Sequence, residues 1–285
     1  MNIFDISDLN TEDLLQILDS NFKENNLDNK NIGMIFEKQS TRTRLSFQVG
    51  IRQLKGNAID INFNDLNLSR DESFEDTFKA INCYLDGLVY RTTSHKNLIE
   101  SAKYFKKPII NALSEKSHPC QIISDLFTIK EHFKSFNQTI LWMGDMNNVC
   151  FSLVEAVNLI DNFSLIICCP KKISDTKIWN FGKNIKIISD IKEINLSIVN
   201  IVMTDVFISM NDEENQDKIQ LLKDYIVDQQ IMDKTNKNSI FMHCLPAKVG
   251  YEVSKEVFNG RQSIVWKQAY NRMVAQKKLL QFIYQ

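Results

Sequence analysis

Hydroxyl and guanidinium side chains alternate over Ser40-Thr41-Arg42-Thr43-Arg44, directly after Glu37-Lys38-Gln39. An apolar run at 32–36 precedes them and reads as a buried strand. Leu45, Phe47, Val49, Ile51 and Leu54 follow and read as a helix. A helix start offers unbonded backbone N–H groups and the positive end of a dipole. Ser and Thr add short donors there, and Arg adds a charged fork that suits phosphate oxygens. The stretch therefore reads either as a phosphate cradle or as a Ser-capped helix with two solvated arginines.

Four further sets of residues carry chemistry. Arg91 ends a short apolar segment at 87–90, either as a rim arginine or as a second cation for the ligand at 40–44. His118-Pro119-Cys120-Gln121 puts an imidazole and an amide at a helix start, where they cap the helix or contact a carbonyl and an NH₂ group. Asp205-Val206-Phe207-Ile208-Ser209-Met210 begins at a strand end. Its carboxylate caps a helix or holds a substrate ammonium. His243-Cys244-Leu245-Pro246 also begins at a strand end. A Cys–His nucleophilic pair made from neighbours there is disfavoured, because successive side chains on a strand point to opposite faces. Cys244 fits better as a polar contact.

These residues need a scaffold, and the hydrophobic pattern supplies one. Helices are predicted at 11–22 (capped by Asn10 or Thr11), 41–54, 72–84, 95–105, 120–133, after 148 to about 160, 174–181 and 267–283. Strands are predicted at 32–36, 58–63, 87–90, 108–113, 139–143, 165–169, 185–188, 198–203, 240–242 and 263–265. The polar run at 211–218 reads as a mobile loop. Strands alternating with helices imply an α/β fold of two doubly wound parallel-sheet domains. The first is expected at 1–133, with the C-terminal helix packing back onto it, and the second at 134–285. In such sheets ligands bind beyond the carboxyl ends of the strands. Every set named above falls there, so an active site between the domains is expected.

Composition narrows the class. A hydrophobic fraction of 44% with 24% charged residues is that of a globular protein, and a net charge of −1 gives no field that favours nucleic acid or an acidic membrane. No apolar run is long enough to span a bilayer. The start, Met1-Asn2-Ile3-Phe4-Asp5, lacks the layout of a secretory leader. The six cysteines form no Cys-x-x-Cys pair, so neither a disulfide framework nor structural zinc is expected, and the chain reads as a reduced, cytoplasmic protein. No Gly-x-Gly-x-x-Gly follows a strand, which counts against a dinucleotide-binding protein.

Taken in order, the motifs resemble those of the aspartate/ornithine carbamoyltransferase family over nearly the whole chain. Ser40–Arg44 and His118-Pro119-x-Gln121 are similar to the family's carbamoyl-phosphate motifs. Asp205-x-x-x-Ser209-Met210 and His243-Cys244-Leu245-Pro246 are similar to its ornithine-side motifs. Gly144-Asp145-x-Asn147-Asn148 matches the segment whose second Asn contacts the amino acid, and Asn271-Arg272 matches the last ligand arginine.

The resemblance implies transfer of a carbamoyl group from carbamoyl phosphate to the δ-amine of L-ornithine, giving citrulline, in arginine biosynthesis and without metal or cofactor. Carbamoyl phosphate would be held by Ser40, Thr41, Arg42, Thr43, Arg91, His118, Gln121, Cys244, Leu245 and Arg272, with Asn67 reaching in from a neighbouring subunit of a homotrimer. Ornithine would be held by Asn148, Asp205, Ser209 and Met210. Arg91, His118, Cys244 and Asp205 would serve catalysis, and Arg44 would be structural, bridging to the neighbouring segment. Asn211 stands where the family has Gly, Asn67 where Gln or His is commoner, and Ser69 where Gly is usual. These departures bear on loop closure and rate. The same pattern leaves two alternatives, a carbamoyltransferase for another amine (N-acetylornithine or putrescine) and a non-catalytic relative. Neither nucleic acid nor membrane is expected as a partner.

Overall fold

The structure, a computed structural model, describes residues 1–20, 26–66, 72–208 and 216–285. The strands are β1 (Asn31–Phe36), β2 (Asn57–Asn62), β3 (Gly87–Arg91), β4 (Ile109–Leu113), β5 (Thr139–Met143), β6 (Ser164–Cys168), β7 (Ile185–Ile188), β8 (Ile201–Thr204) and β9 (Ile240–His243). The helices are α1 (Thr11–Asp19), α2 (Thr41–Gln53), α3 (Phe74–Tyr84), α4 (His95–Tyr104), α5 (Pro119–Phe133), α6 (Asn148–Leu159), α7 (Lys171–Ser174), α8 (Gln216–Leu222), α9 (Gln229–Met232), α10 (Lys255–Phe258) and α11 (Val265–Ile283). Two compact units divide the chain: unit 1 is Met1–Phe127 with Asn271–Gln285, and unit 2 is Thr128–Tyr270. The divisions fall inside α5 and inside α11.

Unit 1 carries a parallel sheet in the order β2-β1-β3-β4. β1, β3 and β4 are buried on both faces, as continuous runs such as Gly33-Met34-Ile35-Phe36 require, whereas the edge strand β2 is largely exposed. Ile35, Leu88 and Tyr90 pack on one side against Phe78 of α3 and Leu98 of α4. The chain leaves β1 toward β2 on one side and returns to β3 on the other, so the order reverses between β1 and β3. A crevice for a ligand opens at such a switch point, beyond the carboxyl ends of the strands. Arg91 pairs with Leu113 where Tyr90 pairs with Asn111, a bulge that re-aims the end of β3 beside this crevice.

Unit 2 repeats the logic in the order β7-β6-β5-β8-β9, again parallel, with the reversal between β5 and β8. Leu141, Met143, Val202 and Phe241 fill its core against Val227, Val253 and Val257.

Capping accounts for most helix starts. Asn10 accepts from the Asp13 N–H at 2.8 Å, Ser73 from Asp76 at 3.0 Å, and Asn147 from both Val149 and Cys150. Because Ser73 takes the cap, α3 begins at Phe74 rather than at the expected 72. The expected helix at 174–181 is instead the single turn of α7. Asp175, Thr176, Asn180 and Gly182 are poor helix formers, and the chain runs on so that Trp179 packs edge-on against Phe151, with ring centres 5.3 Å apart. The expected strand at 263–265 reduces to one bridge, Phe241 to Ser263, because α11 already starts at Val265. The expected strand at 198–203 begins at Ile201, since Leu196–Ile198 forms a 3-10 turn. Of the run expected to be a mobile loop, 211–215 lies outside the described residues, and Gln216–Lys218 opens α8. Phe22, the expected end of the first helix, also lies outside them.

The C-terminal segment closes unit 1. Leu279 and Leu280 are fully buried, and the Tyr284 hydroxyl donates to the Asp86 carbonyl at 2.9 Å. A Cβ on Gly87 would stand 1.8 Å from that hydroxyl. Gly87→Ala is therefore expected to expel Tyr284 and to destabilise the protein by about 1–3 kcal/mol. The measurement is a lowered denaturant midpoint at unchanged slope.

Candidate active site

Unit 1 gathers the carbamoyl-phosphate candidates at its switch point. Ser40 precedes α2 in an extended conformation, and its hydroxyl makes no capping bond. No acidic residue lies in the first turn of α2 to offset the positive end of the helix. Thr43 is buried one turn in, and Arg272 of α11 donates to its hydroxyl at 3.1 Å. Arg42 is exposed at the same helix start. Arg44 behaves differently: it pairs with Asp60 on β2 and lies over the Phe36 ring at 4.7 Å. It bridges to the neighbouring strand and turns away from the cradle.

Arg91 and His118 are both buried here. Burial, with Arg272 and Arg42 nearby, pushes the Arg91 pKa down to about 10. It remains a cation at neutral pH. Burial, followed by the repulsion of Arg272 and Arg91, pushes His118 well below the usual histidine range. Its ring is therefore neutral and carries one N–H for donation. Gln121, one turn into α5, donates to Asp125 at 2.8 Å, and its amide oxygen is buried without a protein partner. That oxygen is an acceptor held ready for an N–H group.

One residue of this half had no role in the sequence reading. The Glu37 carboxylate accepts from the Tyr90 hydroxyl at 2.6 Å, and from the Thr93 N–H and hydroxyl at 2.8 and 2.9 Å. It fastens the turn after β3, and hence Arg91, to the segment leading into Ser40. Its place at the head of the motif was the available signal.

Unit 2 gathers the ornithine candidates. Gly144 has φ +114°, and a Cβ there would press on Phe207 at 3.2 Å, so only glycine suits the turn leaving β5. Asn147 caps α6 with its oxygen and donates from Nδ2 to Asp205 at 2.7 Å. Asn148 is the first residue of α6. Asp205, buried just past β8, accepts from its neighbour Val206 N–H and from the Cys244 thiol, each at 2.8 Å. The chain Asn147–Asp205–Cys244 thus crosses the ends of β5, β8 and β9. The link from Asn147 was not visible in the sequence, which shows only its capping position.

His243 serves the backbone. Its Nδ1 accepts from the Leu245 N–H at 2.9 Å, and its Nε2 lies 3.1 Å from Glu252. Both ring nitrogens are occupied, so Cys244 and His243 form no nucleophile–base pair. Leu245 itself sits at φ +56°, a conformation that costs a non-glycine residue about 1–2 kcal/mol. The bond to His243 helps to hold it there. Asp205, His243 and Cys244 place one donor atom each within 4.8 Å of one another. They could close on a divalent ion only by giving up these bonds. Ser209, Met210 and Asn211, like Asn67 and Ser69, lie outside the described residues.

The neutral state of His118 is directly measurable. Its ring proton resonances are expected to show no titration between pH 5.5 and 8 in a nuclear magnetic resonance titration. Arg272→Ala removes a repelling cation and is expected to move the His118 pKa upward.

Comparison with known proteins places the chain in a family. The carbamoyl-P binding domain of aspartate/ornithine carbamoyltransferase matches residues 2–131, and the Asp/Orn binding domain matches 137–283. The ornithine carbamoyltransferase of Methanosphaera stadtmanae is 40% identical over 272 residues, covering 92% of this chain and 89% of its own. One from Campylobacter jejuni subsp. jejuni, named as anabolic, is 40% identical over 270 residues, covering 90% of this chain and 87% of its own. The crystal structure of an anabolic ornithine carbamoyltransferase from Campylobacter jejuni subsp. jejuni aligns with a TM-score of 0.88 at 34% identity, covering 98% of this chain and 97% of that one. Two parallel sheets of matching architecture, both halves of the family pattern and relatives aligned over nearly their full length lead to one conclusion: the chain belongs to the aspartate/ornithine carbamoyltransferase family.

Proposed function

We propose that this protein is an ornithine carbamoyltransferase of arginine biosynthesis. It transfers the carbamoyl group of carbamoyl phosphate to the δ-amine of L-ornithine and releases citrulline and phosphate. The observation that carries the reading is the cluster of Arg91, Arg272 and neutral His118 beside Thr43 and the start of α2. Such a cluster of cations is relieved by a dianion.

In this reading the phosphate end of carbamoyl phosphate lies on Ser40, Thr41, Arg42, Thr43 and the backbone N–H groups of α2. The carbonyl oxygen gains negative charge as the amine attacks. Arg91, His118 and the Thr43 hydroxyl donate to it, an oxyanion-stabilising set. A neutral imidazole is the right donor, because it gives a hydrogen bond without adding a fourth charge to the cluster. The Gln121 amide oxygen accepts from the carbamoyl NH₂, and the resemblance adds Leu245 to that group's contacts. In unit 2, Asp205 and Asn148 hold the α-amino and α-carboxylate groups, with Ser209 and Met210 assigned by the resemblance alone. Cys244, already bonded to Asp205, orients the δ-amine. The buried Asp205 carboxylate favours a free α-ammonium over an acetylated one. Carbamoyl transfer then proceeds by attack of the neutral amine on the carbonyl carbon and loss of phosphate, with positioning supplying much of the acceleration.

Incubation with carbamoyl phosphate and ornithine, N-acetylornithine, putrescine or aspartate tests the assignment. Citrulline formation from ornithine is expected, and no product above blank would refute it. Arg42→Ala is expected to weaken carbamoyl-phosphate binding about a hundredfold in calorimetry, and affinity like that of the parent would remove Arg42 from the cradle.

The pH profile follows from which groups titrate. The ornithine δ-amine has an ordinary pKa near 10.4 and reacts only when neutral, so kcat/KM for ornithine should rise about tenfold per pH unit below it. His118, already neutral, adds no step between pH 6.5 and 9. Arg91, although burial and then Arg272 and Arg42 lower its pKa, stays a cation in the assay range, so kcat/KM for carbamoyl phosphate should show no step from it below pH 9.

The active form is a homotrimer. Leu45 and Val49, one turn apart on α2, and Ile59 on β2 are 53%, 42% and 39% exposed in the single chain. Apolar side chains so placed on unit 1 suit a subunit contact. A trimer is expected in sedimentation, and Val49→Glu is expected to break it. Six free cysteines, none in a disulfide, suit a cytoplasmic location. No helix among the described residues is long and apolar enough to cross a membrane.

A further inference from the structure

Asp5 lies outside every motif that carries the family resemblance, yet the loop that ends at His118 closes on it. The first residues run beside β4. Ile3 pairs with Ile110, donating to the Ile109 carbonyl at 2.9 Å and accepting from the Asn111 N–H at 2.8 Å. This brings Phe4 and Asp5 against the segment that follows β4. The Ser117 hydroxyl lies 2.5 Å from Asp5 Oδ1 and 3.0 Å from the Phe4 carbonyl. Lys116 pairs with Oδ2, and His95 Nε2 lies 3.5 Å from the same oxygen. Asn111 donates to the Phe4 carbonyl at 2.7 Å and reaches the Ser117 hydroxyl at 3.1 Å. The Ser114 N–H donates to the Ser117 carbonyl at 2.9 Å, which folds 114–117 into a turn. The next residue is His118.

Burial raises the Asp5 pKa, but contacts with His95, Lys116 and Ser117 outweigh it and hold the carboxyl at about 2. Asp5 is therefore ionised across any assay range. Ser114, His95 and Asp5 also stand in a row, with Ser114 Oγ 2.8 Å from His95 Nδ1. Ser114 is fully buried, so this row meets no substrate and is not a second nucleophilic centre.

We propose that Asp5 is a positioning residue for carbamoyl transfer: by holding Lys116 and Ser117 it fixes the turn that aims His118 at the carbamoyl carbonyl. The proposal rests on the carbamoyltransferase reading above. Tolerances at an oxyanion-stabilising donor are a few tenths of an ångström. α5 holds His118 on one side, where its carbonyl accepts from the Gln121 N–H at 3.0 Å, and Asp5 holds the turn that enters it on the other.

The test separates aim from folding. Asp5→Asn and Ser117→Ala are compared with the parent at a temperature well below their melting points. Each is expected to lower kcat about tenfold, while KM for ornithine and the inhibition constant for inorganic phosphate stay within twofold, because phosphate rests on 40–43 and not on His118. Asp5→Glu should recover part of the loss. In a His118→Ala background, Asp5→Asn should change the residual kcat less than twofold. Parent-like kcat in both single variants overturns the proposal. So does an equal loss with and without His118, since Asp5 would then act elsewhere. Should Asp5→Asn fail to fold, Ser117→Ala decides by the same cycle. A parent protein that forms no citrulline refutes the carbamoyltransferase reading itself, whereas an active parent with unaffected variants refutes only the role of Asp5.

Discussion

Mutual repulsion among guanidinium groups is the constraint that the structure of unit 1 has to accommodate. Burial first, and then the charges of Arg272 and Arg42, lower the Arg91 pKa to about 10. A protein interior tolerates such a cluster only if the scaffold is stiff. Here the stiffness comes from a parallel sheet covered on both faces, from the Glu37 clamp on the turn after β3, and from the Thr43 hydroxyl that receives Arg272. Burial, reinforced by the repulsion of Arg272 and Arg91, explains the state of His118, whose pKa lies well below the usual histidine range. Under the proposed reading a bound dianion would offset most of this positive charge, so the arrangement is poised for a ligand rather than relaxed without it.

Unit 2 solves a different problem with hydrogen bonds in place of charge. Three strand ends must present a carboxylate, a thiol and an amide in fixed relation. Asn147 does this with both ends of one side chain, its oxygen capping α6 and its nitrogen holding Asp205. His243 fixes Leu245 from behind in a similar way, one ring nitrogen on the backbone and the other on Glu252. In both cases a polar residue at a strand end supports a neighbouring candidate site residue, Asp205 in one and Leu245 in the other.

Much of this was legible in the chain. Alternating strands and helices declare the parallel sheets, because βαβ units can hardly pack otherwise, and motif residues at strand ends mark the site. Arg44 was readable as structural, and its pairing with Asp60 agrees. What could not be read depends on contacts distant in sequence or on local competition. Nothing in Asn147 announces Asp205, and nothing in Asp5 announces Ser117, since each pair meets only through the sheet. The segment at 174–181 has apolar residues that suggest a helix, but its Trp179 packs edge-on against Phe151, a contact distant in sequence. The start of α11 at Val265 consumes residues that by composition alone suit a strand.

The return of α11 to unit 1 has a consequence for biosynthesis. Thr43 and Arg272 are 229 residues apart in the chain, yet they meet in one hydrogen bond. At typical elongation rates of about 5–20 residues per second, roughly 10–45 s separate the emergence of the phosphate cradle from that of its last cation. During that interval the nascent protein carries the Ser40–Arg44 motif without the arginine that completes it. Under the proposed reading, a chain whose synthesis stops before residue 272 holds the Ser40–Arg44 motif without the Arg272 contact to Thr43.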